Sequence, residues 1–168
     1  MHKLLPILFL TLVSCSENAV SEKTTNTTNS NTSVSSLEEN QESVALKFIN
    51  GYVENANLMG KAIETREWVA HNPLVTESFK KTVTKLIDDA EKADPELGLD
   101  FDPIFDAQDY PEEGFALEQA DEKTGFVTVA GKKWTDFRLK LRPVQVNGNW
   151  LVDGAGVVNI PAEQRVTR

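Results

Sequence analysis

The sequence predicts an α+β domain in which helices come first and antiparallel strands follow. Between residues 37 and 90, apolar residues recur at three- and four-residue steps, the spacing typical of amphipathic helices. From Phe115 onward, apolar and polar residues alternate in short runs, as they do in half-buried strands. The segment Val146-Asn147-Gly148-Asn149 predicts a two-residue type I′ hairpin turn. We therefore expect the helices to pack on one face of a curved antiparallel sheet.

Three helices are predicted in the first half of the chain. The first spans Leu37 to Met59, and a short second helix from Thr65 to Ala70 stops before Asn72-Pro73. The third begins after a Thr76 N-cap and ends before Pro95. The faces expected to be buried comprise Ala45, Phe48, Ile49, Tyr52, Val53, Ala56 and Met59 of the first helix, and Phe79, Val83, Leu86, Ile87 and Ala90 of the third.

The hairpin turn also predicts the pairing of the last two strands. Val144 should face Leu151, and Arg142 should face Asp153. Gly154 and Gly156 then lie on the apolar face unless a bulge intervenes. Glycine inside a strand marks either a bend that curves the sheet or the close approach of another backbone or a ligand. The apolar face of this hairpin is expected to contain Phe137, Leu139, Leu141, Trp150, Val152 and Val158.

The N-terminus has the pattern of a bacterial secretory signal. Lys3 precedes an apolar stretch from Leu4 to Val13, which is too short to span a bilayer. The segment Leu12-Val13-Ser14-Cys15 resembles a lipobox, where a signal peptidase cuts before the cysteine and the cysteine is acylated. We expect residues 1–14 to be a lipoprotein signal peptide and Cys15 to be lipidated. The alternative is an ordinary signal peptide whose boundary contains a cysteine.

The residues after the cysteine predict a tether. Residues 15–36 are dominated by Ser, Thr and Asn and cannot offset their ordering entropy, so we expect a disordered segment spanning about 25 Å. The folded domain is then 37–168. Ser16, where an aspartate would indicate inner-membrane retention, favours the outer membrane of the cell envelope. Lipidation of the only cysteine leaves no thiol, which excludes Cys/His catalysis and the familiar zinc sites.

Charge is distributed unevenly along the chain. The formal net charge of −9 argues against a nucleic-acid partner, because phosphate neutralisation needs clustered Lys and Arg. Residues 88–122 contain fourteen acidic residues and one basic residue, a net charge of −13, whereas the rest of the chain sums to +4. One account is a solvated acidic connection beside a basic strand face formed by Arg138, Lys140 and Arg142. That basic stripe is either the wet side of a sheet or a site for an anionic ligand.

A second account of the acidic segment is a cation site, because Ca²⁺ takes several oxygen ligands. The spacing is not that of an EF-hand, since Ile104 occupies a ligand position and Phe105 stands where glycine is required. A looser site, and with it a calcium-stabilised structural domain, stays open as an alternative. Its candidate ligands are Asp100, Asp102, Asp106 and Asp109.

An enzymatic alternative uses an aspartate as a general base, as in isomerase-like or hydratase-like chemistry. A carboxyl held in an apolar pocket acquires a raised pKa suited to that role, and Asp106 and Asp109 are the candidates. The pocket walls would be aromatic, although such residues also serve as ordinary core. The candidates for the walls are Trp68, Tyr110, Trp134 and Trp150.

Other catalytic motifs are absent from the sequence. No Gly-x-Ser-x-Gly elbow surrounds a serine, and no Gly-x-x-x-x-Gly-Lys phosphate loop occurs. His71 stands at a predicted helix end, where it suits the helix dipole without any catalytic role. No cofactor is expected.

Two segments carry a resemblance to a known family. These are 102–111, Asp-Pro-Ile-Phe-Asp-Ala-Gln-Asp-Tyr-Pro, and 148–154, Gly-Asn-Trp-Leu-Val-Asp-Gly. Together they resemble a family of uncharacterised Bacteroidetes lipoproteins with a nuclear transport factor 2-like, or cystatin-like, domain, over roughly residues 44–161. The resemblance implies a cone-shaped fold with a pocket between sheet and helices. The family has no assigned reaction, so the resemblance implies no catalytic residues.

The sequence as a whole favours a membrane-anchored cell-envelope lipoprotein that acts as a non-catalytic binding or interaction module. Its partners are expected to be the membrane, through the lipid, and another envelope protein, a glycan or a small-molecule ligand. The pocket enzyme and the calcium-stabilised domain are the alternatives.

Overall fold

A computed structural model describes residues 40–167 of the chain. It contains three α-helices and one curved four-stranded antiparallel sheet, so the predicted α+β class is confirmed. Strands adjacent in sequence are adjacent in the sheet, in the order β1-β2-β3-β4. The helices are α1 (Gln41–Ala56), α2 (Thr65–His71) and α3 (Glu77–Ala93), and the strands are β1 (Phe115–Asp121), β2 (Phe126–Gly131), β3 (Arg138–Val146) and β4 (Asn149–Ala155).

The predictions for the N-terminal region concern residues outside those that the structure describes. They concern the signal peptide at 1–14, lipidation of Cys15 and the tether at 15–36. Over residues 40–167, none of the helices has the length and apolar character needed to cross a membrane.

Helix α1 begins at a capping box and ends earlier than the sequence predicts. The Asn40 side chain accepts a hydrogen bond from the Ser43 backbone N–H, and the Ser43 hydroxyl oxygen accepts one from the Asn40 N–H. At the other end, the Asn55 side chain bonds both the N–H and the C=O of Ile63, at 2.9 and 2.8 Å, and so turns the chain back. Met59 therefore lies beyond the helix and is 79% exposed, which makes its predicted place on the buried face wrong.

Helices α2 and α3 follow the predicted boundaries closely. The Thr76 hydroxyl oxygen accepts a hydrogen bond from the Phe79 N–H at 3.0 Å and caps α3. The helix ends at Ala93, before Pro95, as the proline requires. Phe79 and Val83 are buried, whereas the remaining apolar residues of this face are only half-buried.

The core lies between α1 and the sheet, and α1 contacts all four strands. Aromatic rings fill it: the rings of Phe48 and Phe79 meet edge-on at 5.5 Å, and those of Phe115 and Phe137 at 5.9 Å. Asn50 on α1 also bonds the backbone N–H and C=O of Phe115, at 2.8 and 3.1 Å, which fixes the start of β1 to the helix. The space between helix and sheet is thus occupied by core side chains.

The β3–β4 hairpin has the predicted turn and a bulge that the sequence did not reveal. Asn147 and Gly148 both have positive φ, as a type I′ turn requires. Val144 pairs with Leu151 as predicted. Beyond Pro143 the register shifts by one residue, so Arg142 pairs with Gly154, and the predicted pairing of Arg142 with Asp153 is wrong.

The register shift changes the positions of Gly154, on β4, and Gly156, which follows the strand. Gly154 lies opposite Arg142 instead of on the predicted apolar face, and Ala155 takes the place opposite Leu141. Gly156 has φ +56°, and a Cβ there would lie 2.5 Å from the carbonyl oxygens of Pro103 and Ile104. Of the two predicted reasons for a glycine here, the close approach of another backbone segment therefore applies to Gly156.

The bulge also fastens α3 to the sheet edge. The Thr76 N–H donates to the Val152 carbonyl at 3.1 Å, and the Val152 N–H donates to Leu74 at 2.8 Å, which forms a short parallel bridge. The Thr76 hydroxyl donates to Asp153 at 2.5 Å, and Asp153 forms an ion pair with Arg142. One edge of the sheet is thereby covered by the residues that precede α3.

Candidate functional site

A phenol and a carboxyl group meet inside the domain. The Tyr52 hydroxyl donates to Asp102 Oδ2 at 2.5 Å, and it also lies 2.7 Å from the Thr65 hydroxyl. Tyr52 comes from the buried face of α1, Thr65 from the first turn of α2, and Asp102 from the connection between α3 and β1. This cluster joins three separate segments of the chain.

Asp102 is positioned by the turn that it begins. Its Oδ1 accepts hydrogen bonds from the backbone N–H groups of Ile104 and Phe105, at 2.8 and 2.9 Å. Its backbone N–H and C=O both bond Ala107. An aspartate that bonds the amides two and three residues ahead is the common way to stabilise such a turn. The turn then places the Phe105 ring against Tyr52, with centroids 4.9 Å apart.

Burial dominates the electrostatics of the pair. It raises the pKa of the Asp102 carboxyl above its ordinary value, although the hydrogen bonds from Tyr52 and the backbone amides oppose the shift. Burial, and next the neighbouring Asp102 charge, also raises the pKa of the Tyr52 phenol. Tyr52 therefore stays protonated and is the donor in the shared hydrogen bond.

Asp102 lies at the wall of a surface groove, which we call the Asp102 groove. The groove encloses about 540 Å³ between the start of α2, the last turns of α3 and the segment after α3. Its walls are mixed, with an apolar side and a charged side. The lining residues are Glu64, Thr65, Arg66, Ile87, Glu91, Leu97, Gly98, Leu99, Phe101, Asp102 and Pro103.

Arg66 holds the charged side of the groove together. Its Nη2 lies 3.0 Å from Asp88 Oδ1 and 2.9 Å from Glu91 Oε2, which ties α2 to α3. Its Nε is buried without a hydrogen-bond partner.

The four aromatic candidates lie in different places. Trp68 lines a hollow of about 420 Å³ beside α2, and Trp150 lines another of about 380 Å³ at the β3–β4 turn. Tyr110 stacks on Phe105 with ring centroids 4.8 Å apart. Trp134 is 47% exposed and packs edge-on against a core phenylalanine. Trp68 and Trp150 thus line separate hollows.

The four aspartate candidates are also separated. Asp100 and Asp109 are exposed, and Asp106 lies half-buried in a crevice beside Arg138, Lys140 and Arg165. Only Asp102 lines the Asp102 groove among these four. In the part of the chain that the structure describes, no three His, Cys, Asp or Glu side chains are grouped to hold a metal ion. The calcium hypothesis therefore gains no support from this geometry.

The basic stripe on β3 is largely engaged with neighbouring groups. Arg138 forms an ion pair with Glu118 at 2.7 Å, Arg142 pairs with Asp153, and Lys140 lies 5.6 Å from the centre of the Phe126 ring. These contacts fit the wet side of a sheet. His71 is exposed at the end of α2, as expected, and its Nδ1 lies 2.9 Å from the Glu67 carbonyl.

Sequence reasoning missed Tyr52, Thr65 and Arg66 as site residues. The helical periodicity predicts only a buried position on the first helix for Tyr52. A signal was present, because a tyrosine hydroxyl on a buried helix face needs a hydrogen-bond partner. For Asp102 the sequence suggests only a metal ligand, although an aspartate followed by proline is also a typical turn residue. Nothing in the sequence showed that these residues meet.

Comparisons with known proteins identified no relative of this chain. No protein-family model matches this chain, and neither does any curated protein or solved structure.

Proposed function

We propose that this protein is a lipid-anchored component of the bacterial cell envelope, and that its α+β domain is a non-catalytic module that binds a small ligand in the Asp102 groove. The observation that carries the binding role is the groove itself. Its volume of about 540 Å³ is within the range typical of small-molecule sites. Its apolar side offers surface that a ligand can cover, and its charged side offers polar groups that can orient the ligand. The anchor rests on the resemblance of Leu12-Val13-Ser14-Cys15 to a lipobox and on the Ser/Thr/Asn-rich segment after it.

The hydrogen bonding of Asp102 supports binding over catalysis. Its two oxygens already accept three hydrogen bonds, from Tyr52, Ile104 and Phe105. A carboxylate offers about four acceptor positions, so the turn and Tyr52 occupy most of those on Asp102, whereas a general base needs a free one within reach of the substrate proton. The space between α1 and the sheet, where the implied fold family has its pocket, is filled by buried aromatic and aliphatic side chains.

The nuclear transport factor 2-like cone is part of the same proposal. Its support is the order of the elements, since three helices precede a curved antiparallel sheet that carries bulges in β1 and β4. The outer-membrane location follows from Ser16 and is proposed on that residue alone.

The anchor is tested by metabolic labelling with an alkyne fatty acid in a bacterial host. We expect label on the wild-type protein and none on Cys15→Ala. Label on both variants, or on neither, would overturn the anchor.

The binding role is tested by extracting the protein from its own envelope and measuring retained small molecules by native mass spectrometry. Leu97→Ser changes a groove residue that is 64% exposed, and Leu117→Ser is a matched control at a 40% exposed position on β1. We expect a retained ligand on the wild type and the control, and its loss from Leu97→Ser. If the wild type and both variants retain equal amounts of ligand, the ligand binds outside this groove. If none of them retains a ligand, this groove is refuted as a ligand site.

A second candidate function is acid–base catalysis at Asp102 instead of Asp106 or Asp109. The specific observation in its favour is a carboxyl of raised pKa beside a phenol at the wall of a groove. The same extracted ligand distinguishes the two. Chemical turnover of that ligand by the wild type, and none by Asp102→Asn, would favour the enzyme.

A further inference from the structure

We infer that the ligand of the Asp102 groove is an organic cation with an apolar body, such as an aryl- or alkylammonium compound. The inference rests on the proposed binding function of this groove and adds the chemical class of the ligand. It follows from three features of the walls: their charge, their exposed apolar surface and the spacing of their carboxyl groups.

The charge of the walls favours a cation. Three carboxyl groups line the groove, those of Glu64, Glu91 and Asp102, against the single guanidinium of Arg66. That guanidinium is shared between Glu91 and Asp88, which lies beside the groove. Glu64 forms no ion pair with any of the described residues. One negative charge at the entrance of α2 is therefore left without a cationic partner.

The acidic connection strengthens this preference. Two walls of the groove, the end of α3 and the segment 97–103, belong to residues 88–122, whose net charge is −13. A concave surface with a net charge concentrates ligands of the opposite sign and repels those of the same sign, and the carboxyl groups of this lining outnumber its one guanidinium. Anionic ligands are therefore disfavoured, whatever their shape.

The apolar walls require an organic body on the cation. Leu97 is 64% exposed, and Ile87, Leu99 and Phe101 are half-buried in the same groove. Covering such surface is favourable by about 25 cal/mol per Å². A hydrated inorganic cation would leave this surface in water, whereas an aryl or alkyl group would cover it.

The spacing of the carboxyl groups separates this ligand from a metal ion. A divalent metal needs several ligand atoms converging on one point, and the described residues contain no group of three acidic, His or Cys side chains so placed. An ammonium group makes no such demand, because it is held by one or two hydrogen bonds and by the surrounding field.

The test compares three ligands of equal size that differ in charge: benzylammonium, benzyl alcohol and benzoate. Binding to the full-length lipidated chain in detergent micelles is measured by saturation-transfer NMR titration, with empty micelles subtracted. We expect benzylammonium to bind about tenfold more tightly than benzyl alcohol, and benzoate to bind more weakly than either. The preference should shrink as salt is added, because the attraction is screened.

Matched variants locate the effect. Glu64→Gln removes the unpaired groove charge, and Glu122→Gln removes an equal charge from the exposed β1–β2 turn within the same acidic segment. We expect Glu64→Gln to weaken benzylammonium binding about threefold to tenfold without changing benzyl alcohol binding. Glu122→Gln should leave both almost unchanged. Leu97→Ser should weaken both ligands.

The outcomes distinguish this inference from the function that it rests on. If all three ligands bind equally, or if benzoate binds best, the cation class is wrong and groove binding stands. If Glu122→Gln weakens benzylammonium as much as Glu64→Gln, the attraction is a general field effect and the inference fails. If none of the three binds, the cation class is overturned, and the separate search for a retained envelope ligand decides the binding role.

Discussion

Replacing Tyr52 with phenylalanine removes one oxygen from the centre of the candidate site. The ring keeps its contacts with Trp68 and Phe105, at centroid distances of 5.0 and 4.9 Å. Asp102 loses the donor 2.5 Å from its Oδ2, and Thr65 loses its partner at 2.7 Å. The change therefore isolates the hydrogen bonds that join α1, α2 and the 102–107 turn.

The stability lost in Tyr52→Phe depends on whether the acceptor, the Asp102 carboxyl group, is charged. A hydrogen bond to a charged group contributes about 1.5 to 3 kcal/mol, so we expect Tyr52→Phe to lower the free energy of unfolding by about 2 kcal/mol at pH 7. Near pH 3 the Asp102 carboxyl is neutral, and the loss should fall to about 1 kcal/mol. The melting temperature at pH 7 should fall by about 6 to 10 °C for a domain of this size.

The pH dependence has a definite sign. Because the pKa of Asp102 is raised by folding, its contribution to stability falls as the pH rises from the ordinary aspartate value through the raised one. The Tyr52 hydrogen bond lowers the pKa of Asp102, so removing the hydroxyl raises that pKa further. The pH range over which Asp102 loses its contribution to stability then becomes wider. The variant should therefore lose more stability than the wild type between acid and neutral pH.

Urea denaturation at pH 3 and pH 7, followed by circular dichroism, measures these quantities. Tyr110→Phe is the control, because its hydroxyl bonds Asn57 at 3.2 Å in an exposed position, and its effect should stay within about 0.5 kcal/mol. The reasoning is refuted if Tyr52→Phe costs no more than this control, or if its cost does not grow between pH 3 and pH 7.

Three further substitutions test the framework around the site by thermal and urea denaturation. Gly156→Ala places a Cβ 2.5 Å from two carbonyl oxygens, at a residue whose φ is +56°, so we expect the free energy of unfolding to fall by about 2 to 4 kcal/mol. Gly60 has open space around it, and the control Gly60→Ala should lower the free energy of unfolding by less than about 1 kcal/mol. Thr76→Ala should cost about 1 to 2 kcal/mol through loss of the α3 cap, and Thr76→Ser should restore most of it; equal losses would contradict the capping role. Asn50→Ala should cost about 1 to 3 kcal/mol, because two hydrogen bonds to Phe115 are lost, and an unchanged midpoint would show that they contribute nothing.

Local patterns predicted most of the elements of this fold. The end of α3 before Pro95 and the hairpin at Asn147-Gly148 each follow from the conformational limits of one or two residues. Such limits act within a few residues of chain, so a single sequence contains them completely. The class of the fold then follows from the change of period between the two halves.

The β4 bulge and the site could not be predicted in the same way. The bulge is held by Asp153, which bonds Thr76 from another part of the chain, and turn geometry contains no information about that contact. Tyr52 and Asp102 are separated by 50 residues in sequence and meet only after α1 has packed. Their partnership depends on tertiary placement, which neither residue's neighbours encode.

The Asn50 side chain protects the exposed edge of the sheet at β1. An open strand edge is a template on which another chain can add a strand and begin to aggregate. Asn50 occupies the N–H and C=O of Phe115 at the start of β1, and an irregular register between Leu117 and Gln119 interrupts the rest of that strand. A second chain would therefore find no continuous ladder to extend there. At high concentration, two copies of this domain are therefore not expected to join through this edge into a shared sheet.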